Sequence, residues 1–310
     1  MFAERRKPPH VWQVQARHGE GVPMRGRQRY PTMTTISAQM VKDLREKTDL
    51  PMMECKQALT ECNGDVESAM DWLRKKHKGK LADRSGRTTG EGRIAIHLDA
   101  ARKIGAIIEL QCETAPVAKN EMFVNLANAF AKKVALGSNA SPDPQKIRHD
   151  PELDTLFTDV FGRLRESMNL AHCRRVSGNY LASYVHHDGK SGVLMALDAA
   201  PKSDKNIGAD LCMHTLFSMP IAIDRANVPA ADVEKIRTQA REMAIAEGKK
   251  EQIVDKIADG KVNAFYAERV LMEQFHVKTD DYGKNAKIVD VLKTAGVNKV
   301  TDMVIMKVGG

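Results

Sequence analysis

IGAIIELQCETAPVAKNEMF, residues 104–123, decides how this chain is read. Its first nine residues are dense in Ile and Leu and end at turn-forming types, the signature of a buried strand. Residues 113–119 follow as a loop, because Pro116 cannot continue a central strand. Asn120 is a good N-cap type, and Phe123, Leu126, Ala127 and Phe130 then recur at helical spacing. A loop held between two rigid elements is where a binding tip is usually built, though by residue types alone residues 113–119 read first as an ordinary connection.

The same arrangement recurs downstream. Lys103-x-Gly105-(x)4-Leu110, then Lys119-Asn120 and Phe130, returns as Lys190-x-Gly192-(x)4-Leu197, Lys205-Asn206 and Phe217. The spacing is equal except for one residue in the loop, so each copy reads as strand, loop, helix. Between the copies lie a loop at 137–151, a helix at 152–169 and a long strand at 174–187. That strand turns at Asp188-Gly189, a strong hairpin dipeptide. After Pro220 the chain turns helical: 230–247 and 251–265 join at Gly248 as an antiparallel pair, a last helix covers 288–294, and a terminal strand covers 300–308.

Upstream, residues 37–77 read as three short helices. Ser37 caps the first, Thr48-Asp49-Leu50-Pro51 turns into the second, and Asn63-Gly64-Asp65 stops the second and caps the third. Val66, Ala69, Met70 and Leu73 give the third helix its apolar stripe. So small a module needs a partner or the rest of the chain to be stable. Adjacent Met52 and Met53 point about 100° apart, so either both sit in a broad core or one or both of them pack on a partner. A basic, glycine-bearing linker separates the module from a strand near 94–98.

Composition is that of an ordinary globular chain, 42% apolar and 28% charged. No apolar run approaches the length of a membrane span. Five scattered cysteines without a C-x-x-C point to reduced thiols and a cytoplasmic setting. The net charge is +8, but residues 1–32 carry seven Arg/Lys against two Glu, leaving only +3 elsewhere and little case for direct nucleic-acid binding. Residues 1–32 lack periodicity and read as a disordered extension: a misplaced start, a tail or a transit peptide.

Enzymatic constellations are missing from the pattern. Gly189-Lys190-Ser191 lacks the phosphate-loop glycine five residues earlier, where Tyr184 stands, and it lies in a hairpin. His172-Cys173 and His186-His187 are adjacent pairs whose side chains diverge on a strand, unlike zinc ligands. Cys112 reads as a buried strand thiol and not as a nucleophile. No cofactor or metal is implied for the chain.

Three stretches carry a family resemblance. ELQCETAPVAKNEMF (109–123) resembles the ELNCETDFVAKNEEF-type signature of elongation factor Ts. LREKTDLPMMECKQAL (44–59) resembles the signature in that family's ubiquitin-associated-like domain, matching at Leu44, Arg45, Thr48, Met52, Met53, Lys56, Ala58 and Leu59. EQIVDKIADGKVNAFYAERVLMEQFHV (251–277) resembles its C-terminal helical stretch. The resemblance implies a guanine-nucleotide exchange factor. It would bind elongation factor Tu in GDP-bound and nucleotide-free forms, dislodge Mg²⁺ and promote GDP release in translation elongation. It implies Mg²⁺ dislocation by Thr114, Ala115, Pro116 and Val117, and partner contacts at Leu44, Arg45, Met52, Met53, Lys56 and His186. Two departures stand out: Ala115-Pro116 replaces the usual Asp-Phe, and Ser167-Met168-Asn169-Leu170 replaces an Ile-Gly-Glu-Asn type. They keep two alternatives open, a non-exchanging paralogue that only holds elongation factor Tu and a helical-module adaptor. A homodimer through the helical pair is a further option; no membrane is involved.

The expected fold is therefore α+β. It has a three-helix module at 33–80, a linker at 81–93 and two related α+β core halves at 94–187 and 188–310, the second with the helical hairpin.

Overall fold

Gly105 and Gly192, the paired glycines of the repeat, explain the architecture. In this computed structural model, which describes residues 35–83 and 86–310, both sit on strands buried on two faces. The expected disordered extension at 1–32 lies outside the described residues. Strand β1 (Glu91–Leu98) pairs antiparallel with β2 (Ile104–Cys112), which pairs antiparallel with β3 (Met168–Ser177). Strand β4 (Tyr180–Val185) pairs with β5 (Ser191–Leu197), and β5 with β6 (Val300–Lys307), again antiparallel. The strand orders β1-β2-β3 and β4-β5-β6 make two sheets with the repeat strand in the centre of each.

The two sheets face each other. Side chains alternate along a strand, so Ile94, Ile96 and Leu98 of β1, Ile107 of β2 and Leu194 and Ala196 of β5 meet in one apolar layer with Leu181 and Val176. The backbones approach closely there. A Cβ on Gly105 would lie 2.5 Å from Leu98 Cδ2 and 3.0 Å from Leu181 Cδ1 of the other sheet; one on Gly192 would lie 3.0 Å from Ile94 Cγ2. The opposite faces are covered by helices. Ala106, Ile108, Leu110 and Cys112 pack with Phe123, Leu126, Phe130, Phe157 and Phe161, from α5 (Glu121–Leu136) and α7 (Pro151–Leu164). Val193, Met195 and Leu197 pack with Leu211 and Cys212 of α8 (Ile207–Ser218) and with Ile288 and Leu292 of α12 (Ile288–Thr294). The result is a helix–sheet–sheet–helix sandwich in which each half is ββα followed by a returning strand.

The N-terminal module is α1 (Ala38–Thr48), α2 (Met52–Glu61) and α3 (Val66–Asp83) around a core of Val41, Leu44, Leu50, Cys55, Ala58, Leu59, Ala69 and Leu73. Ser37 caps α1 by accepting from the Met40 N–H, and Asp65 caps α3 by accepting from the Ser68 N–H. Asn63 and Gly64 both take positive φ, as the stop signal requires. Two short helices, α4 (Ala115–Lys119) and α6 (Pro144–Arg148), flank α5, and the α9 (Ala230–Ala246)/α10 (Glu251–Arg269) pair joins at Gly248, φ +72°. A single turn, α11 (Thr279–Tyr282), precedes α12.

Four expectations need correction. Residues 113–119 are not all loop: Pro116 occupies the first turn of α4, where a missing N–H costs nothing. The loop at 137–151 holds α6, capped by Asp143. The helix expected at 152–169 stops at Leu164, because Arg165 turns left-handed at φ 58° and Met168 begins β3. The long strand at 174–187 is two strands in different sheets. The chain changes sheet at Gly178, where a Cβ would press on Ala196 Cβ at 3.0 Å, so β4 belongs with the second sheet.

His214 of α8 and His276 are buried imidazoles, and neither makes an ion pair among the described residues. His214 bonds Gln274 at 2.9 Å and stacks on His276, whose other neighbours are Tyr282 and the Lys278 N–H. Burial pushes both below the ordinary 6.5, His276 to about 4.

Two outcomes follow. Gly105→Val should destabilise the chain by about 1–3 kcal/mol through overpacking, read as a lowered urea midpoint. Because the folded state keeps His276 neutral, stability should decline as pH falls from about 6.5 towards about 4. His276→Gln should flatten that part of the stability–pH curve.

Candidate functional site

The exposed face of the helical module is built by what α2 buries. Cys55, Ala58 and Leu59 face the module core, which leaves Met52 and Met53 outside at 53% and 72% exposure. Of the two readings open for this pair, the broad-core one is excluded. Lys56, one turn on, is exposed and makes no ion pair among the described residues. Arg45 is exposed at the end of α1 and lines a shallow hollow with Met52, Pro51, Gly162, Arg163 and Arg165. Leu44 is fully buried in the module's own core, so the direct contact expected for it gives way to a packing role beneath this face.

The tip is a clamped element. Glu166 accepts the Thr114 N–H at 3.0 Å and the Thr114 hydroxyl at 2.6 Å. In return Glu113 accepts the Ser167 N–H at 2.8 Å and Arg87 at 3.3 Å. These bonds hold the Glu113 carboxyl below its ordinary value, the Ser167 backbone bond most of all. Two carboxylates thus bridge two segments reciprocally. Between them α4 presents Pro116 to solvent, with Ala115 and Val117 half-buried and Ala118 inside. Asn120 closes the element by capping α5 through the Met122 N–H.

His186 follows β4 at the hairpin turn, half-buried, with Nδ1 3.1 Å from the Tyr184 hydroxyl, as two residues sharing a strand face should be. The turn is fixed to the first sheet: Ile94 donates to the Gly189 carbonyl at 2.8 Å, and Lys190 pairs with Glu91 at 2.7 Å. Glu91 is the register partner of Cys112, so this turn lies at the end of β2 that leads into the tip.

One carboxylate ties the module to the rest. Glu54 on α2 accepts from Lys80 at 3.2 Å and lies 3.1 Å from Arg165 and 3.4 Å from His77. Burial pushes its carboxyl up, but the bonds from Lys80 and His77 outweigh that and hold it below the usual range. His77 sits on the bare backbone of Gly162, where a Cβ would lie 2.3 Å from its Nδ1. Arg74 reaches Asp159 at 3.0 Å, and Lys78 pairs with Asp154. Because Arg165 and Glu166 are neighbours, one turn touches both the module and the tip. Glu54, Glu113, Arg165 and Glu166 were not singled out by pattern. Glu54 and Glu113 fall inside the signature stretches 44–59 and 109–123, whereas Arg165 and Glu166 lie outside all three and carry no signal of their own.

No helix among the described residues is long and apolar enough to cross a membrane, and no group of three His, Cys, Asp or Glu is placed to hold a metal ion. The Cys112 thiol is pushed up to about 12 by burial, far from a nucleophile's range.

A family model described as "Elongation factor TS" matches residues 113–310. Relatives named Elongation factor Ts include one from Clostridium botulinum (strain ATCC 19397 / Type A), 39% identical over 80% of this chain and 83% of its own length. Others come from Bordetella petrii, 38% identical over 88% and 92%, and Desulfovibrio desulfuricans, 37% identical over 85% and 93%.

The clamp has a pH signature. A carboxylate held below its ordinary value stabilises the fold above that value and loses the contribution as pH falls through its folded pKa. The urea midpoint of the native chain should exceed that of Glu113→Gln at neutral pH, and the difference should vanish in strong acid.

Proposed function

Because the chain belongs to the elongation factor Ts family, we propose that it is a guanine-nucleotide exchange factor for elongation factor Tu. The observation that carries this reading is the exposed apolar face of α2. Two adjacent methionines, at 53% and 72% exposure, stand beside Lys56, which makes no ion pair among the described residues, at the position of the family's partner-binding signature. Large apolar side chains left outside while smaller ones fill the core suit an interface anchor. Methionine adapts its shape to a partner surface.

In the proposed sequence of events, Met52, Met53, Lys56 and Arg45 dock the module on elongation factor Tu·GDP. The tip then presents Pro116, supported by Ala115 and Val117, near the partner's nucleotide site. Mg²⁺ and GDP loosen, and GTP entry releases the factor. No covalent step is needed. Linkage requires that a factor which weakens GDP binding be weakened equally by GDP, so the complex is a passing state. The module at 33–80, the linker at 81–93 and the core halves at 94–187 and 188–310 take different parts in this cycle in the cytoplasm, and the exposed Met243, Ile245 and Ile253 of the α9/α10 pair offer an apolar face for joining two copies.

A second reading is favoured by Ala115. It offers no carboxylate and is half-buried, so the tip can act only by the shape of Pro116. A binding-only relative would look like this.

The test is release of a fluorescent GDP from the cognate elongation factor Tu at fixed Mg²⁺. The chain should accelerate release, and Met53→Asp should weaken complex formation about tenfold or more by placing a charge in an apolar contact. Binding without acceleration, together with activity created by Ala115→Asp/Pro116→Phe, would establish the holding relative instead.

A further inference from the structure

Arg165 and Glu166 end α7 with two side chains that serve different elements. Glu166 holds the start of α4 by both polar groups of Thr114. Arg165 reaches Glu54 of the module at 3.1 Å from a left-handed backbone position that few non-glycine residues adopt. That conformation sets the direction of both arms. The junction that Arg165 serves is thin. The module keeps its own apolar core and meets the one under α5 through Leu81, near the end of α3. It docks through α3 on α7, with Arg74–Asp159, Lys78–Asp154, the Glu54 cluster and His77 on Gly162. Contacts of this kind are partly exposed and individually weak, so the docked arrangement is easily shifted.

We propose that the Arg165–Glu166 turn is a mechanical link between the two partner-facing elements, so that docking of the module and the position of the tip are one coupled equilibrium. Arg165 and Glu166 are positioning residues: they act through Glu54 and Thr114. Displacing the module moves the Arg165 arm, and the turn carries that movement through the next peptide to the carboxylate that holds Thr114. Coupling is reciprocal, so releasing the tip loosens the module by the same factor. The meaning of this link for nucleotide exchange rests on the function proposed above; the coupling itself belongs to the free chain.

The test is hydrogen exchange of the full chain without any partner, followed by mass spectrometry. Gly162→Ala wedges the module at His77 without changing a charge, and Glu54→Gln removes the carboxylate hub; neither touches α4. Each should raise exchange at residues 114–119 about fivefold, while β2 and β5 stay protected. In the other direction, Glu166→Gln should raise exchange in α3 by a similar factor. Arg165→Gly suits the left-handed backbone and removes only the arm, so it covers the case in which the other variants fold poorly. Residues 114–119 exchanging at the native rate in Arg165→Gly and in the module variants would overturn the link and leave two independent clamps. Failure of GDP release with elongation factor Tu would instead count against the exchange reading and leave these rates unaffected.

Discussion

The contact on which the structure depends is the close approach of two three-stranded sheets across Gly105 and Gly192. The second α-hydrogen of either glycine fits, but a methyl group in its place meets Leu98 and Leu181 at Gly105 and Ile94 at Gly192. Once the sheets share this layer, the central strands have no free face. Every helix of the core must then lie outside, α5 and α7 over one sheet and α8 and α12 over the other. The same contact brings the hairpin turn of β4 and β5 onto the first strand, through Ile94 and Gly189 and through Lys190 and Glu91. The candidate tip is therefore mounted on the least deformable part of the molecule, at the end of a strand paired on both edges.

The helical module is attached by different physics. Most of its apolar residues are spent on its own core, and apart from Leu81 of α3 and the buried His77 its junction with α7 is ionic and partly solvated. Apolar burial is worth several times more per residue than a surface ion pair, which contributes about 0–1 kcal/mol. Rigidity is thus concentrated under the tip and adaptability under the methionine face. An exposed methionine pair on a loosely held module and an exposed proline on a firmly held helix are complementary ways to meet a partner, the first by accommodation and the second by fixed shape.

Elements with a strong period are legible in the residues alone. The buried strand Ile104–Cys112, the helix capped by Asn120, the stop at Asn63-Gly64, the hairpin at Asp188-Gly189 and the helix Ile288–Thr294 all rest on local chemistry, and local chemistry decides them. The change of sheet at Gly178 is marked only by the turn types Ser177-Gly178-Asn179, which read equally as a bulge in one long strand, and the position of Ala196 shows why the strand must divide. Candidate residues divide in the same way. Spacing places Met52, Met53 and Lys56 on α2 but does not say which face is solvent. Leu44 carries the signature yet lies inside. Glu54 and Glu166 read as ordinary surface carboxylates, since the groups they join are far apart in the chain.

The repeat makes the two halves equivalent in topology but not in their loops. Each half is two antiparallel strands, a helix on the central strand and a returning strand on the far edge, and each contributes a glycine to the same shared layer. Two units of one topology thus close on each other within a single chain, as the halves of a symmetric dimer would. Only one of the two equivalent loops then needs to carry a site, and its counterpart need only connect. Here the loop after β2 carries α4 and its paired carboxylates, whereas the loop after β5 runs into α8 without a helix of its own.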